Sequence, residues 1–484
     1  MSPTPSSPLR LFPRLSALGV IAILLAGCAA SRPPPPEPLA DIVPAAWQAP
    51  LPHGGRLQTL KDWWQQRDDP VLSALVEAAL ADSPTLAAAQ ARVEQARAQT
   101  AASQAELMPR LDLGANASRG NSQSLSSVGE GTAPPVVTTM QVGLQAGWEI
   151  DLFGRRQALL DAAEHRREGA EALAHLARVS LAADVASGYY SLRLCQSLLA
   201  TAERDGNSRT ETARLAVISR DAGFTAPATT ALAEASAAEG RARTRQQRTV
   251  CDSQIKALVA LTGQDEARLR SQVAPLDAGA SLSQASDTAL SVASIPADAL
   301  RQRPDIWAAE REILAARSEI DSAEAARWPS LSLGGSISRM QLRSQGMSGG
   351  LGVWSFGPLA LNLPLFDGGR IAAGTRAARA RYDEAVANYK GKVRQAVQEV
   401  ETALVQGADA ESRTEDARAA VAGYQQSFDG TQALYRQGMA SLVQLEEARR
   451  NLLAAQNLLQ NLKHDQQAAW VALYRAAGGG WQAP

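Results

Sequence analysis

The chain has 484 residues, a formal net charge of -1 and 45% hydrophobic residues. This length can hold two or three ordinary domains, and the lack of any basic block in the sequence argues against a nucleic-acid partner. Aromatic residues make up only 5% and alanine is abundant, a composition typical of long, closely packed helices rather than of a thick globular core.

The N-terminal segment predicts export and lipid attachment. Arg10 and Arg14 precede the apolar run LSALGVIAILLAGC, which is too short to anchor a protein across a bilayer but has the length of a signal-peptide core. The run ends in LAGC and resembles a bacterial lipobox, so residues 1–27 are interpreted as a lipoprotein signal peptide and Cys28 as the acylated first mature residue. A plain signal peptide is the alternative. The proline-rich residues 28–44 then form a stiff linker.

An internal repeat organises the rest of the chain, and repeats of this kind decide the fold. The matched pairs are Pro84 with Pro304, Pro109 with Pro329 and Leu111 with Leu331 at an offset of 220, and Arg155 with Arg370, Gly223 with Gly438 and Gly263 with Gly478 at an offset of 215. Each half is therefore predicted to run helix, strand, strand, long helix, turn, helix.

The strands are predicted from alternating apolar and polar residues. The apolar positions are Val142, Leu144, Ala146, Trp148, Ile150 and Leu152 in the first half and Leu359, Leu361, Leu363 and Leu365 in the second. A period of two places them on one face of a strand. Together with first strands near 110–118 and 331–339, they predict two hairpins, 110–153 and 330–367, with strands near the length that a tilted membrane strand needs.

Four strands per chain predict an oligomer. They cannot close on themselves, and an open sheet edge cannot face lipid. Three chains would supply twelve strands, within the range of known barrels, although the sequence alone does not fix the number three. Beyond the signal peptide, no stretch reaches the roughly 18 apolar residues of a membrane helix, so the sequence predicts membrane passage only as a barrel.

Two helices are predicted to be unusually long. No proline interrupts residues 155–218 or 370–436, and at about 1.5 Å per residue each segment would reach roughly 100 Å. Polar stretches near Gly206 and between residues 407 and 414 are predicted to divide each of them in two. Apolar residues recur at coiled-coil spacing at Val386, Tyr389, Val393, Ala396, Val400 and Ala403, and again at Leu445, Ala448, Leu452, Ala455, Leu459 and Leu462.

Cys195 and Cys251 predict a crosslink. Their midpoint is Gly223, so in an antiparallel helix pair that turns at this glycine they lie at the same height, about 42 Å from the turn. An oxidising compartment would join them as a disulfide. The alternative is two buried thiols whose side chains point apart.

These features divide the chain into six segments. They are the signal peptide at 1–27, the lipid-anchored linker at 28–44, a first repeat at 45–265 with a helical hairpin at 155–262, an inter-repeat segment at 266–295, a second repeat at 296–480 with a helical hairpin at 370–477, and a tail at 481–484.

Three stretches resemble a known family. RPDIWAAEREILAARSEIDSAEAARWPSLSLGG, LPLFDGGR and DWWQQRDDPVLSALVEAALADSPTLAAAQARV are similar to signatures of outer-membrane efflux proteins of the TolC and OprM type, in the lipoprotein branch that serves RND tripartite multidrug pumps. The resemblance covers about residues 45 to 480. It implies a mixed membrane protein, mainly α, in which a homotrimer forms a twelve-stranded outer-membrane β-barrel continued by a long coiled-coil barrel in the periplasm.

The resemblance also implies function and partners. An inner-membrane RND transporter and a periplasmic adaptor would hand over drugs and other small molecules, and this chain would conduct them passively to the exterior. By the same resemblance, the adaptor docks on the two helical turns, at Gly223, Phe224 and Thr225 and at Gly438, Met439, Ala440 and Ser441. The alternative for the turns is purely structural, since glycine ends helices.

The family closes its periplasmic end with rings of acidic side chains, and aligning YRQGMASLVQLEEARR places those positions at Gln444 and Glu447. Three copies of Glu447 around a threefold axis would attract cations, whereas Gln444 departs from the acidic pattern and would give a neutral ring. The alternative is that Glu447 is an ordinary solvated charge.

The sequence contains no motif that is typical of an enzyme active site. The four histidines lack metal-ligand spacing, and the sequence contains no nucleophile elbow, phosphate loop or zinc motif, so no catalytic residue, metal or cofactor other than the lipid on Cys28 is predicted. Two other functions stay open: the outer-membrane duct of a type I protein secretion system, and a structural coiled-coil lipoprotein of the cell envelope. The alternating strands argue against the second, because a linker needs no barrel.

Overall fold

The computed structural model describes residues 38–50, 69–121, 136–274, 296–344 and 346–483. The predicted signal peptide, Cys28 and most of the inter-repeat segment lie outside these ranges. The helices are α1 Leu39–Ile42, α2 Pro70–Ala81, α3 Pro84–Ala105, α4 Arg155–Asp221, α5 Pro227–Thr262, α6 Glu266–Gln272, α7 Pro296–Leu300, α8 Pro304–Ala325, α9 Arg370–Arg436 and α10 Leu442–Ala476. The strands are β1 Arg110–Asn121, β2 Val136–Ile150, β3 Ser330–Ser344 and β4 Met347–Asn362.

Local sequence explains where the helices begin. Pro70 and Pro84 occupy the first turns of α2 and α3, where the missing amide hydrogen costs nothing. The side chains of Asp69 and Ser83, just before them, accept hydrogen bonds from the first free backbone amides, which is the role of an N-cap. Asp151 does the same for α4, accepting from the amides of residues 156 and 157.

The four strands form one antiparallel sheet in the order β1-β2-β3-β4. Leu113 pairs with Leu144, Leu144 with Ile337, and Ile337 with Trp354, so these apolar side chains share one face. On that face Leu113 is 73% exposed and Trp354 76% exposed. The opposite face carries Asp112, Gln145, Ser336 and other small or polar residues. The sheet is therefore amphipathic, and within the part of the chain that the structure describes its apolar face is uncovered and β1 and β4 are free edges.

The strand ends differ from the prediction. β2 ends at Ile150 and β4 at Asn362, so Leu152, Leu363 and Leu365 lie beyond the strands, although their apolar alternation continues. Asp151 explains the end of β2, because its carboxylate turns to cap α4. A register irregularity between Leu333 and Gly335 also interrupts the pairing of β3 with β4.

The long helices are continuous, so the predicted breaks are wrong. α4 and α9 each run for 67 residues. In α4, the Thr210 hydroxyl donates to the carbonyl of Gly206, and in α9 the Thr414 hydroxyl donates to the carbonyl of Ala410. These polar side chains bond within their own helix instead of interrupting it.

The main core lies where α2, α4, α5, α8 and α9 meet. Its fully buried members include Leu75, Val185, Leu192, Leu258, Ile313 and Val393. Below it the helical hairpins α4–α5 and α9–α10, here called hairpin one and hairpin two, continue as long pairs that pack through small and branched residues. Among the described residues no single helix is both long and apolar enough to cross a membrane; α2 and α3, bent by 43° at their junction, meet that test as a pair by length and composition only.

Candidate aperture at the ends of the helical hairpins

The turn of hairpin one is closed by backbone hydrogen bonds. The amide of Gly223 donates to the carbonyl of Arg220, and the amide of Phe224 donates to that of Ser219, both at 2.8 Å. Gly223 has φ +84°, a left-handed conformation that glycine adopts without strain. The Ser219 and Thr225 hydroxyls lie 2.5 Å apart. The turn leaves Phe224 87% exposed.

The turn of hairpin two has the same construction. The amide of Gly438 donates to the carbonyl of Tyr435 and that of Met439 to Leu434, and Gly438 has φ +75°. Met439 is 64% exposed, and Ala440 is half-buried. Each hairpin therefore ends in one large exposed apolar side chain directly after its glycine.

Gln444 has a local bond that the sequence reading did not include. Its Oε1 accepts from the backbone amide of Ser441 at 2.7 Å, while the Ser441 Oγ accepts from the amide of Gln444. This reciprocal pair is a capping box, which satisfies two amides at the start of α10. Glu447, one turn further on, is exposed.

Leu442 and Leu445 hold the start of α10 in place. Both are nearly fully buried and pack in one cluster with Ala213, Ala216, Ala233 and Ala237 of hairpin one. The cluster's alanines allow the α10 leucines to approach closely. Hairpin two therefore begins against hairpin one, and the side chains of residues 442 to 449 are divided between a buried face and an exposed one.

Two charged residues on that buried face of α10, Glu446 and Arg449, meet two buried charged residues of α4, Asp205 and Arg209. The Arg209 Nε is 2.8 Å from Asp205 Oδ2, the Arg209 Nη1 is 3.0 Å from Glu446 Oε2, and Glu446 Oε1 is 2.5 Å from Arg449 Nη1. The Arg449 Nε lies 3.8 Å from Asp205 Oδ1 and completes a ring of alternating charges. Their side chains are between 3% and 9% exposed. We call this group the ion ring.

Sequence reasoning missed the ion ring. Its signal is present, because Asp205 and Arg209 are spaced i,i+4 and Glu446 and Arg449 i,i+3, which puts each pair on one helix face. Such pairs are common on solvated faces, and only the neighbouring Leu445 and Leu452 suggest that this face of α10 is buried. The sequence does not indicate which helix packs against this face of α10, because that contact depends on the tertiary structure.

The predicted cysteine pair lies within hairpin one. The structure joins Cys195 of α4 to Cys251 of α5 by a disulfide, with Cα atoms 5.4 Å apart, and both residues are buried. Among the described residues no group of three or more His, Cys, Asp or Glu side chains could hold a metal ion.

An amphipathic sheet with an uncovered apolar face, joined to helices of 67 residues, defines the class of membrane-embedded export channels. The sequence matches the outer membrane efflux protein family over residues 75–264 and 295–479. The chain belongs to this family, and its function is that of the outer-membrane component of an efflux system, located in the outer membrane and extending into the periplasm.

Individual relatives agree along almost the whole chain. Outer membrane protein OprJ of Pseudomonas aeruginosa is 34% identical over 481 residues, covering 97% of each chain. ArpC of Pseudomonas putida, an antibiotic efflux pump outer membrane protein, is 29% identical and covers 96% of each. The solved structure of the outer-membrane channel OprN superposes with a TM-score of 0.76 at 28% identity, covering 91% of this chain and 97% of that one.

Proposed function

We propose that three copies of this chain form a passive conduit for drugs and other small molecules, the outermost part of a tripartite pump with a periplasmic adaptor and an inner-membrane RND transporter. The observation that carries the proposal is the four-stranded sheet with an uncovered apolar face and two free edges. In lipid every backbone polar group must be paired, so β1 and β4 need partners from other copies. Three copies supply twelve strands, the polar face lines the lumen, and the long helices continue the duct below the membrane.

In this proposal the two repeats, 45–265 and 296–480, supply alternate hairpins of the helical tube. The lengths of their elements support it: α3 and α8 each have 22 residues, and α4 and α9 each have 67. Lipid on Cys28 would tether the N-terminus, with the first part of residues 28–44 as spacer, because the end of that predicted linker forms α1 and packs against the main core. Acyl labelling of the wild type that is lost in Cys28→Ser tests this anchor, and labelling that survives the substitution rejects it.

The turns after Gly223 and Gly438 are the proposed adaptor contacts. The exposed Phe224 and Met439 support this assignment, because a large apolar side chain held out by a rigid turn is suited to a pocket on a partner. Phe224→Ser and Met439→Ser should weaken binding of the periplasmic adaptor without changing the trimer. Unchanged adaptor capture would leave both turns with a purely structural role.

Glu447 is the proposed aperture residue, and Gln444 a neutral ring beside it. The exposure of Glu447 supports its access to the lumen, where three carboxylates near one axis would favour cations. Gln444 is tied to Ser441, so its side chain contributes less to the opening than the alignment implies. Glu447→Gln should lower the cation preference of single channels in planar bilayers. An unchanged channel makes Glu447 an ordinary solvated charge.

Dye accumulation in a deletion strain, with secreted proteins profiled in parallel, tests the function itself. Dye retained with an unchanged secretome supports the drug conduit. A missing secreted protein with normal dye export indicates a type I secretion duct instead. A purified chain that is monomeric and does not conduct ions in bilayers would indicate a structural envelope lipoprotein.

A further inference from the structure

The ion ring lies directly behind the proposed aperture. Glu446, a ring member, and Glu447, the proposed aperture residue, are consecutive in α10, so their side chains point about 100° apart around the helix. One is 7% exposed and the other is exposed. Whatever fixes the rotation of α10 about its own axis therefore fixes the direction of Glu447.

The ring is well placed to fix that rotation. Its two cross-helix contacts, Arg209 to Glu446 and Arg449 to Asp205, join α4 to α10 at separate points. Ser236 of α5 adds a third attachment, since its hydroxyl donates to Glu446 Oε2 at 2.9 Å.

Arg449 adds a further contact to α4 and the contact to α9. It donates to the Ser208 hydroxyl of α4 at 3.0 Å and lies over the ring of Phe428 in α9 at 5.7 Å. Burial lowers the pKa of Arg449, with the carboxylates of Glu446 and Asp205 opposing that shift. All four long helices therefore meet at the ion ring.

The ring is specific to this one junction. At the offset of 215, the counterparts of Asp205 and Arg209 are Ala420 and Tyr424, and those of Glu446 and Arg449 are Ala231 and Glu234. The other half of the repeat therefore has no means of forming the same ring. Buried ions add little to stability after desolvation and are best attested as devices that fix one register of packing.

We propose that Asp205, Arg209, Glu446 and Arg449 are positioning residues, which lock the rotation of α10 on hairpin one so that Glu447 faces the channel axis. This inference rests on the aperture role proposed for Glu447. The four residues do not touch the transported solute; they act through the direction of the neighbouring carboxylate.

The sign of the selectivity change separates positioning from simple charge loss. Arg209→Met removes a positive charge, and by electrostatics alone this makes the pore more selective for cations. If the ring instead positions Glu447, releasing α10 turns that carboxylate away and makes the pore less selective for cations. The two effects have opposite signs in the same measurement.

The experiment compares reversal potentials of single channels in planar bilayers for the full-length protein, Glu447→Gln, Arg209→Met and the double variant. The expected result is that Arg209→Met lowers the cation-to-anion permeability ratio as Glu447→Gln does, and that the double variant shows no further fall. The matched control is Arg243→Met, which breaks the exposed Arg243–Glu239 pair of α5 and should leave the ratio unchanged.

Arg209→Met removes the cation that pairs with the buried carboxylates of Asp205 and Glu446, which favours misfolding. A second variant therefore tests the same role without a change of net charge. Asp205→Leu with Arg209→Met removes one charge of each sign and keeps the net charge, and the heat-sensitive trimer on gels verifies assembly. It should also lower the permeability ratio. A ratio that is unchanged or raised in these assembled variants overturns the positioning role. If Glu447→Gln itself has no effect, the proposed aperture fails, and the inference fails with it for that separate reason.

Discussion

The two helical hairpins have the same plan and are held together differently. Hairpin one carries the Cys195–Cys251 disulfide, whereas the counterparts in hairpin two are Ala410 and Gln466. Hairpin one also has a point of very close approach: a Cβ added to Gly240 would lie 3.3 Å from the Gly206 Cα.

Hairpin two instead uses side-chain packing. Leu445, Leu452 and Leu462 are buried along α10, and the counterparts of the two close glycines are Val421 and Ala455. Hairpin one is thus braced by a covalent bond and by backbone contact, while hairpin two has separable apolar contacts, and the ion ring attaches its helix α10 to hairpin one.

The largest expected effect comes from removing the brace of hairpin one. In the chain-entropy treatment, a disulfide that closes a loop of about 57 residues stabilises the folded state by roughly 4 kcal/mol. Cys195→Ser with Cys251→Ser should therefore lower the melting temperature of the protein in detergent, and a reductant should do the same to the wild type only. Thiol labelling of denatured, unreduced protein is the direct measurement, and labelling of both Cys195 and Cys251 would show that the bond does not form.

The next effect tests the close approach of α4 and α5. A Cβ at residue 240 would lie 3.0 Å from the Arg209 Cδ and 3.3 Å from the Gly206 Cα. Gly240→Val therefore forces its new atoms against that side chain and the backbone of α4. Overpacking of this kind costs about 2 to 3 kcal/mol, and it should be visible as a lower melting temperature. Gly423→Val in α9 is the control, because an added Cβ there has no neighbour within 4 Å. Helix propensity alone would slightly stabilise both variants, because glycine is a poorer helix former than valine, so a loss at Gly240 that is no larger than the change at Gly423 would contradict the close approach.

The sequence predicted much of this comparison and missed specific parts of it. Periodicity and the turn glycines gave both hairpins, and the midpoint at Gly223 paired Cys195 with Cys251 because an antiparallel helix pair has fixed geometry. The predicted breaks were wrong because Thr210 and Thr414 satisfy their hydroxyls within the helix. The ion ring could not be predicted, since the burial of Glu446 depends on which helix packs against α10.

The upper end of hairpin two has an ionic attachment that should fail in acid. Arg303, before α8, donates to the carbonyl of Ala476 at the end of α10, to Glu399 of α9 and to both oxygens of Asp305. Burial raises the pKa of Asp305, but hydrogen bonds and charge from Arg303 outweigh it and hold that pKa below its ordinary value. A carboxylate with a depressed folded-state pKa stabilises the fold above its unfolded pKa, and this contribution is lost as the pH falls through the folded value.

Asp305→Asn should therefore cost about 2 kcal/mol at neutral pH, the value of a hydrogen bond to a charged group. The difference in melting temperature between this variant and the wild type should begin to shrink below about pH 4, where the unfolded carboxyl becomes protonated, and should shrink further as the pH falls towards the lower folded-state pKa. A difference that stays constant down to pH 3 would assign the loss to packing. Asp429→Asn, an exposed substitution in α9, controls for the charge change.

The smallest effect concerns how the two hairpins restart after their turns. α5 begins after Ala226 with no side-chain cap and has proline in its first turn, whereas α10 begins with the Ser441–Gln444 capping box. Ser441→Ala should cost about 1 kcal/mol and raise hydrogen exchange at residues 442–445. Ala226→Ser supplies the missing side-chain cap of α5 and should stabilise hairpin one. Because the capping box sits between the turn of hairpin two and the ion ring, fraying in Ser441→Ala should stop at Glu446. Exchange that spreads past Arg449 would mean that the capping box, rather than the ion ring, holds α10 against hairpin one.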